Sequence, residues 1–145
     1  MGLRAMVFAS ESGLAELLRI FLECHDHEVQ LFSGVSHCQL YQNLADEQCR
    51  CLKERPCADL LLVDGDLTDI DALDFLRQLQ RRGCKALAAN KAVISSDRSP
   101  AFASAVAELG CHRIGKPFRL AEVRMWVDAA ARRVATGPPA CMGTT

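Results

Sequence analysis

The sequence has almost no net charge and no long apolar segment. Its formal charge is -1, with 17 Lys and Arg against 18 Asp and Glu, and the basic residues are scattered, so a direct contact with nucleic acid is not expected. No segment approaches the ~20 apolar residues that cross a bilayer. The apolar N-terminal residues give way to Ser10 and Glu11 before a signal-peptide core is complete. We therefore expect a cytoplasmic protein without membrane contact.

The chain has eight cysteines but no Cys-x-x-Cys pair, the spacing typical of structural zinc sites and thiol redox motifs. A chain of 145 residues, half of them apolar, can bury its own core without a disulfide framework. A metal site at Cys49, Cys51 and Cys57, with Cys38 or His37 as a fourth ligand, stays open. Reduced thiols without a ligand are the preferred interpretation.

Short apolar runs alternate with segments of helical periodicity along the chain. The runs predict five strands, at 3–9, 28–32, 59–63, 92–96 and 112–115. The periodic segments predict five helices, of which the second covers 38–53 and the fourth is capped by Ser99 and ended by Gly110. Apolar residues at helical spacing are expected to face the sheet in the first and the last helix. They are Leu14, Leu17, Leu18 and Phe21 in the first helix, and Leu120, Val123, Val127, Ala130 and Val134 in the last.

This alternation predicts an α/β fold, a single doubly wound five-stranded parallel sheet with five helices. The domain is expected to cover 1–134 and to be followed by a flexible tail at 135–145. Ligand sites of such sheets lie at the carboxyl ends of the strands. That edge should bring together Glu11, Asp64, Ser96 and Lys116.

Three stretches of the sequence carry a specific resemblance. The segments DLLLVDGDLTDIDALDFLRQL, AVISS and GKPF together resemble the CheY-like receiver domains of response regulators, over about residues 3 to 134. The resemblance implies the strand order 2-1-3-4-5 and a role in two-component phosphorelay signal transduction. Asp64 would accept a phosphoryl group from a histidine kinase or phosphotransfer protein, Lys116 would neutralise it, and the hydroxyl of Ser96, or else of Ser95, would contact it. No enzyme activity is expected beyond self-phosphorylation from a phosphodonor and autodephosphorylation.

The sequence also departs from the receiver pattern. Ala9 and Ser10 stand where receivers carry the acidic pair that holds Mg²⁺, so metal binding is expected to be weak or absent. The ligands that the resemblance implies are Glu11 as a substitute, Asp64, and the backbone carbonyl of Asp66, whose carboxylate is expected to be a bystander. Arg113 or Ile114 stands where the family has an aromatic switch residue.

Two other functions remain open at this stage. A pseudo-receiver, which docks partners without phosphorylation, is favoured by the missing acidic pair. A flavodoxin-like redox or thiol protein has only the number of cysteines in its favour.

The last helix supplies the predicted partner surface. Its stripe turns Met125 toward solvent and leaves Trp126 at the edge. Both residue types are enriched at interfaces. We expect a homodimer or an output partner to bind there.

Overall fold

The computed structural model describes residues 2–33, 58–67, 70–81 and 86–136. Five strands and four helices of at least two turns lie in these ranges. The strands are β1 (Arg4–Phe8), β2 (Glu28–Phe32), β3 (Leu60–Asp64), β4 (Lys91–Ser95) and β5 (His112–Gly115). The helices are α1 (Ser12–Cys24), α2 (Ala72–Arg81), α3 (Pro100–Glu108) and α4 (Leu120–Thr136), and a 3-10 turn (Ala88–Asn90) precedes β4. The helix predicted at 38–53, the cysteine cluster and residues 137–145 lie outside the described ranges.

The five strands form one parallel sheet in the order β2-β1-β3-β4-β5. This confirms the predicted fold class and strand order. Each strand lies within one residue of its predicted bounds. Because all the strands are parallel, their carboxyl ends share one edge, where Asp64 is paired with Ile94 and Ser95 with Gly115.

Both faces of the sheet are covered, as expected for strands that are apolar on both sides. Helices α1 and α4 pack on one face, and α2 and α3 pack on the other. Successive residues of β3 alternate between the two cores: Leu60 and Leu62 join the first, and Leu61 and Val63 join the second. The alternation follows from the pleat of the strand.

Three residues predicted to face inward on α1 and α4 are partly exposed. Leu17 in α1 is 44% exposed, and in α4 Leu120 and Val134 are 36% and 40% exposed. Trp126, expected at the edge, is only 5% exposed. Helix α4 is 17 residues long, and its buried residues lie only between Val123 and Ala130.

Local chain chemistry explains where α3 begins and ends. The hydroxyl of Ser99 accepts a hydrogen bond from the Phe102 N–H, and Pro100 opens the helix. Gly110 follows with a φ of 75°, a left-handed conformation that glycine adopts without strain. No helix within the described ranges is long and apolar enough to span a membrane.

Candidate functional site

Asp64 ends a strand that is buried along its whole length. It is 3% exposed, and its Oδ1 accepts hydrogen bonds from the backbone N–H of Asp66 at 3.0 Å and from Nζ of Lys116 at 2.8 Å. Its Oδ2 receives no hydrogen bond from any described residue. A buried carboxylate is stable only with charged or polar partners. Here both of those partners contact Oδ1.

Lys116 lies just beyond β5, and its N–H donates to the Ser95 carbonyl at 2.9 Å, which extends the sheet ladder by one bond. From there its ammonium reaches across the end of β4 and contacts Asp64 and, at 3.0 Å, Oδ2 of Asp66. Burial alone would lower the pKa of Lys116, but the hydrogen bonds with the two carboxylates outweigh it and raise the pKa. The Lys116–Pro117 peptide bond is cis.

The carboxylate of Asp66 is therefore part of the cluster, contrary to the expectation that it is a bystander. Its side chain is 62% exposed, but it shares the Lys116 ammonium with Asp64. The turn that carries the Asp66 N–H back to Asp64 also directs the Asp66 side chain toward the lysine. The spacing of Asp64 and Asp66 in the sequence does not predict that both carboxylates contact the same lysine.

The two serines that follow the apolar part of β4 occupy different positions. Ser95 ends the strand and is 4% exposed, whereas Ser96 is exposed at the rim. Ser95 also abuts the loop after Asp64: a Cβ on Gly65 would lie 2.8 Å from the Ser95 Cβ and 3.0 Å from its Oγ. Of the two hydroxyls left open by the sequence, the structure places that of Ser95 inward.

Hydrogen bonds from two arginines connect the loop between β4 and α3 to β5 and to Lys116. The sequence did not predict these contacts. Arg98 donates to the Lys116 carbonyl at 3.0 Å, and Arg113 donates to the Asp97 carbonyl at 2.9 Å. A hydrogen bond from the Ser99 N–H lowers the pKa of the Asp97 carboxyl. At the positions expected for an aromatic switch residue, Ile114 is in the core and Arg113 contacts the loop.

The residues at the end of β1 do not complete a metal site. Ala9 is buried, Ser10 is exposed, and Glu11 is the exposed residue before α1, where its carbonyl accepts from the Ala15 N–H. Within the described ranges, no three Asp, Glu, His or Cys side chains are grouped as metal ligands. The Lys116 ammonium already lies between the carboxylates of Asp64 and Asp66. Among the described side chains, the site therefore offers Mg²⁺ only the two carboxylates that also bind Lys116, and the weak Mg²⁺ binding expected from the sequence stays a prediction.

The described cysteines, Cys24 and Cys111, are both free thiols. On α4, Met125 is 73% exposed. The indole N–H of Trp126 donates to the Ala89 carbonyl at 2.9 Å, and the ring stacks on His112 at a centroid distance of 6.0 Å. Only the first of the two residues predicted for a partner surface is therefore exposed.

Solved structures provide the comparison with known proteins. The receiver domain of the Francisella response regulator 1452 superposes with a TM-score of 0.73 at 13% identity, over 92% of this chain and 99% of that one. The non-phosphorylated HemR receiver domain of Leptospira biflexa gives a TM-score of 0.69 at 22% identity, over 88% and 92%. The beryllofluoride-activated NtrC4 receiver domain dimer gives 0.68 at 16% identity, over 88% and 94%. The chain has the receiver-domain fold.

No family model matches the sequence, and no curated protein matches it. The receiver fold is thus recognised from the structure and not from overall sequence identity. In this receiver fold, Asp64, Asp66 and Lys116 meet at the carboxyl edge of the sheet, and Glu11 forms no hydrogen bond or ion pair with them.

Proposed function

We propose that this receiver fold takes part in two-component signalling by accepting a phosphoryl group on Asp64 from a histidine kinase or a phosphotransfer protein. The observation that carries the proposal is the buried carboxylate at the end of β3 with the Lys116 ammonium 2.8 Å away. Oδ2 of Asp64, which receives no hydrogen bond from the described residues, is the nucleophile.

The transfer needs little from the protein beyond position and charge. The carboxylate oxygen attacks the phosphorus of a phosphohistidine and the P–N bond breaks. The imidazole leaves with the electron pair and takes a proton from water. Lys116 offsets the added negative charge, and the inward hydroxyl of Ser95 donates to a phosphoryl oxygen.

The new contacts bias the loops around the site toward a second arrangement. A complete reversal from 1:99 to 99:1 requires about 5.5 kcal/mol. Lys116 already binds Asp64 before phosphorylation, so the bias comes from the strengthening of that pair and from the new hydrogen bond of Ser95, which contributes about 1.5–3 kcal/mol as a bond to a charged group. Because Arg98 and Arg113 join the β4–α3 loop to β5 and Lys116, movement of either segment reaches the other.

Phosphorylation of the chain by acetyl phosphate, followed by borohydride trapping and mass spectrometry, tests the proposal. The label is expected on Asp64 and is expected to disappear in Asp64→Asn. Label on Asp66 or Glu11 would contradict the assignment. The proposed Mg²⁺ role of Glu11 stays a prediction, and no step above depends on it.

A second candidate function, a pseudo-receiver that docks partners without phosphorylation, is favoured by one observation. The Lys116 ammonium bridges two carboxylates where the resemblance implies a metal, so the site is held together without an added cation. Absence of any trapped phosphate, with a partner bound equally well by Asp64→Asn and wild type, would establish this alternative.

A further inference from the structure

Arg113 is the second residue of β5, and its guanidinium reaches the loop between β4 and α3. Its Nη2 donates to the Asp97 carbonyl at 2.9 Å. The guanidinium lies beside Gly115, where an added Cβ would be 3.6 Å from Nη2 and 3.7 Å from Nη1. Residues two apart on a strand face the same side, so the absence of a side chain at Gly115 leaves the space that the guanidinium occupies.

This placement leaves one buried polar atom unsatisfied. The Nε of Arg113 is buried and has no hydrogen-bond partner among the described residues. A buried N–H without an acceptor is costly, and such exceptions are few in folded proteins. The contact that the same guanidinium makes with Asp97 offsets this cost, and it points to a role for that contact.

The backbone of Asp97 connects Arg113 to Ser95. The Asp97 N–H donates to the Ser95 hydroxyl oxygen at 3.0 Å, and Ser95 is buried beside Gly65. A hydroxyl has two acceptor lone pairs and a single donor. The Asp97 N–H occupies one lone pair, and no described residue accepts the Ser95 proton. That proton is therefore free for an acceptor that arrives at the site.

We propose that Arg113 is a positioning residue for phosphoryl transfer to Asp64, and that it acts through Asp97 on the Ser95 hydroxyl. The guanidinium holds the Asp97 carbonyl, the Asp97 N–H holds the Ser95 oxygen, and the Ser95 proton is then directed to a phosphoryl oxygen. Arg113 itself forms no hydrogen bond or ion pair with Asp64. The inference rests on the proposed phosphorylation of Asp64.

The positioning of the loop can be measured on the full chain without a phosphodonor. Amide hydrogen exchange followed by NMR reports the Asp97 N–H that donates to Ser95. We expect Arg113→Met to accelerate exchange of this amide about tenfold or more, because the loop loses the hydrogen bond that holds the Asp97 carbonyl. Arg119→Met removes an exposed arginine just before α4 and should leave the exchange rate unchanged.

The effect on phosphorylation is the initial rate of Asp64 labelling by acetyl phosphate, which releases acetate as the phosphoryl group passes to the carboxylate. Arg113→Met should slow labelling by about fivefold to tenfold, no more than the loss of the Ser95 hydrogen bond does. In a Ser95→Ala background the same change should have no further effect. Arg113→Lys keeps a charged donor for the Asp97 carbonyl and should recover part of the rate.

Gly115 provides a second pair of variants if Arg113→Met does not fold. A Cβ at this position meets the guanidinium only at ordinary van der Waals distance, so Gly115→Ala should match wild type. Gly115→Leu fills the space of the guanidinium and should reproduce both effects of Arg113→Met. Circular dichroism checks that each variant is folded.

The two measurements separate failure of this inference from failure of the proposed function. Unchanged exchange of the Asp97 amide in Arg113→Met or in Gly115→Leu would overturn the positioning role, even if Asp64 is labelled. Equal slowing of labelling by Arg113→Met with and without the Ser95 hydroxyl would also overturn it. Absence of label on Asp64 in wild type would overturn the proposed phosphorylation and this role with it, although accelerated exchange would still show that Arg113 holds the loop.

Discussion

Asp64 and Lys116 depend on each other at the scale of single residues. The carboxylate is 3% exposed and the lysine side chain 22% exposed, so removal of the ammonium leaves a buried charge whose one remaining partner among the described residues is the Asp66 N–H. We expect Lys116→Met to lower the free energy of unfolding by about 1–3 kcal/mol. Urea denaturation at neutral pH measures this.

The matched control is the same change in an Asp64→Asn background. Without the carboxylate's charge, the loss of the ammonium should cost clearly less, and the difference between the two backgrounds gives the coupling of the pair. Equal losses in both backgrounds would mean that Lys116 stabilises the fold through packing or through Asp66 instead.

The adjacent serines of β4 provide a second prediction at this scale. Ser95 is buried beside Gly65, and Ser96 is exposed. If the inward hydroxyl donates to the phosphoryl group, Ser95→Ala should slow phosphorylation of Asp64 by about tenfold, the effect of one hydrogen bond. Ser96→Ala should match wild type. The rate of acetyl phosphate labelling distinguishes them, and the reverse order would restore the role first expected for Ser96.

At the scale of elements, the sequence predicted the bounds of the strands well, but it predicted only some of the buried residues of the helices. Buried strands of a parallel sheet appear in the sequence as continuous apolar runs, which explains β1, β3 and β4; the edge strands β2 (EVQLF) and β5 (HRIG) are mixed, yet all five were located to within one residue. That single residue matters at the site, because neighbouring positions on a strand face opposite sides. A strand ending at Ser95 instead of Ser96 changes which hydroxyl points inward.

The prediction of which α4 residues are buried was wrong at both ends and in the middle of the helix, because tertiary contacts decide the burial. Periodicity assumes that the whole helix contacts the sheet, but Leu120 and Val134 are partly exposed near its ends. Trp126 is buried because its indole reaches the Ala89 carbonyl and the His112 ring. Those partners are distant in sequence, so helical spacing does not predict them.

A single substitution, at Met125, tests whether the exposed surface of α4 binds a partner. Met125 is 73% exposed, so Met125→Asp should change the free energy of unfolding by no more than about 0.5 kcal/mol. If α4 mediates a homodimer, the same change should weaken self-association by about tenfold or more, measured by analytical ultracentrifugation with phosphodonor present.

Leu17→Asp is the matched control, because Leu17 is a 44% exposed apolar residue on α1. It should leave self-association unchanged. A Trp126→Ala variant is unsuitable, since removal of a buried Trp costs about 3–5 kcal/mol on its own. Equal association of Met125→Asp, Leu17→Asp and wild type would leave an output partner, and not a second copy, as the proposed occupant of this surface.

At the scale of the whole molecule, the sheet separates two chemically different edges. The carboxyl edge holds Asp64, Asp66 and Lys116, a cluster that contains its own counter-charge. The amino edge holds Lys91, which is 4% exposed, and the stacked rings of His112 and Trp126. Two apolar cores lie between the edges, one on each face of the sheet.

Two histidines at the amino ends of strands, His27 just before β2 and His112 as the first residue of β5, give the folded chain a predictable response to pH. The Nδ1 of His27 accepts from the Leu3 N–H at 2.9 Å, which requires the neutral ring. Burial, and to a smaller extent the charge of His25, lowers the pKa of His27 below 6.5. Partial burial against Trp126, and then the charge of Arg133, lowers the pKa of His112 from the same value.

Because these rings resist protonation only in the folded state, the unfolded chain binds protons first as the pH falls. The contribution of these two histidines to the free energy of unfolding should therefore be fully present above about pH 7 and should decrease as the pH falls below 6.5. Urea denaturation between about pH 7 and pH 5 isolates the histidines, since the carboxyls with lowered pKa, Glu16 and Asp97, titrate below their ordinary values of 4.5 and 3.8. His27→Gln keeps an acceptor for the Leu3 N–H without titrating, so it should flatten part of this decrease. A pH profile identical to wild type would show that His27 does not contribute to it.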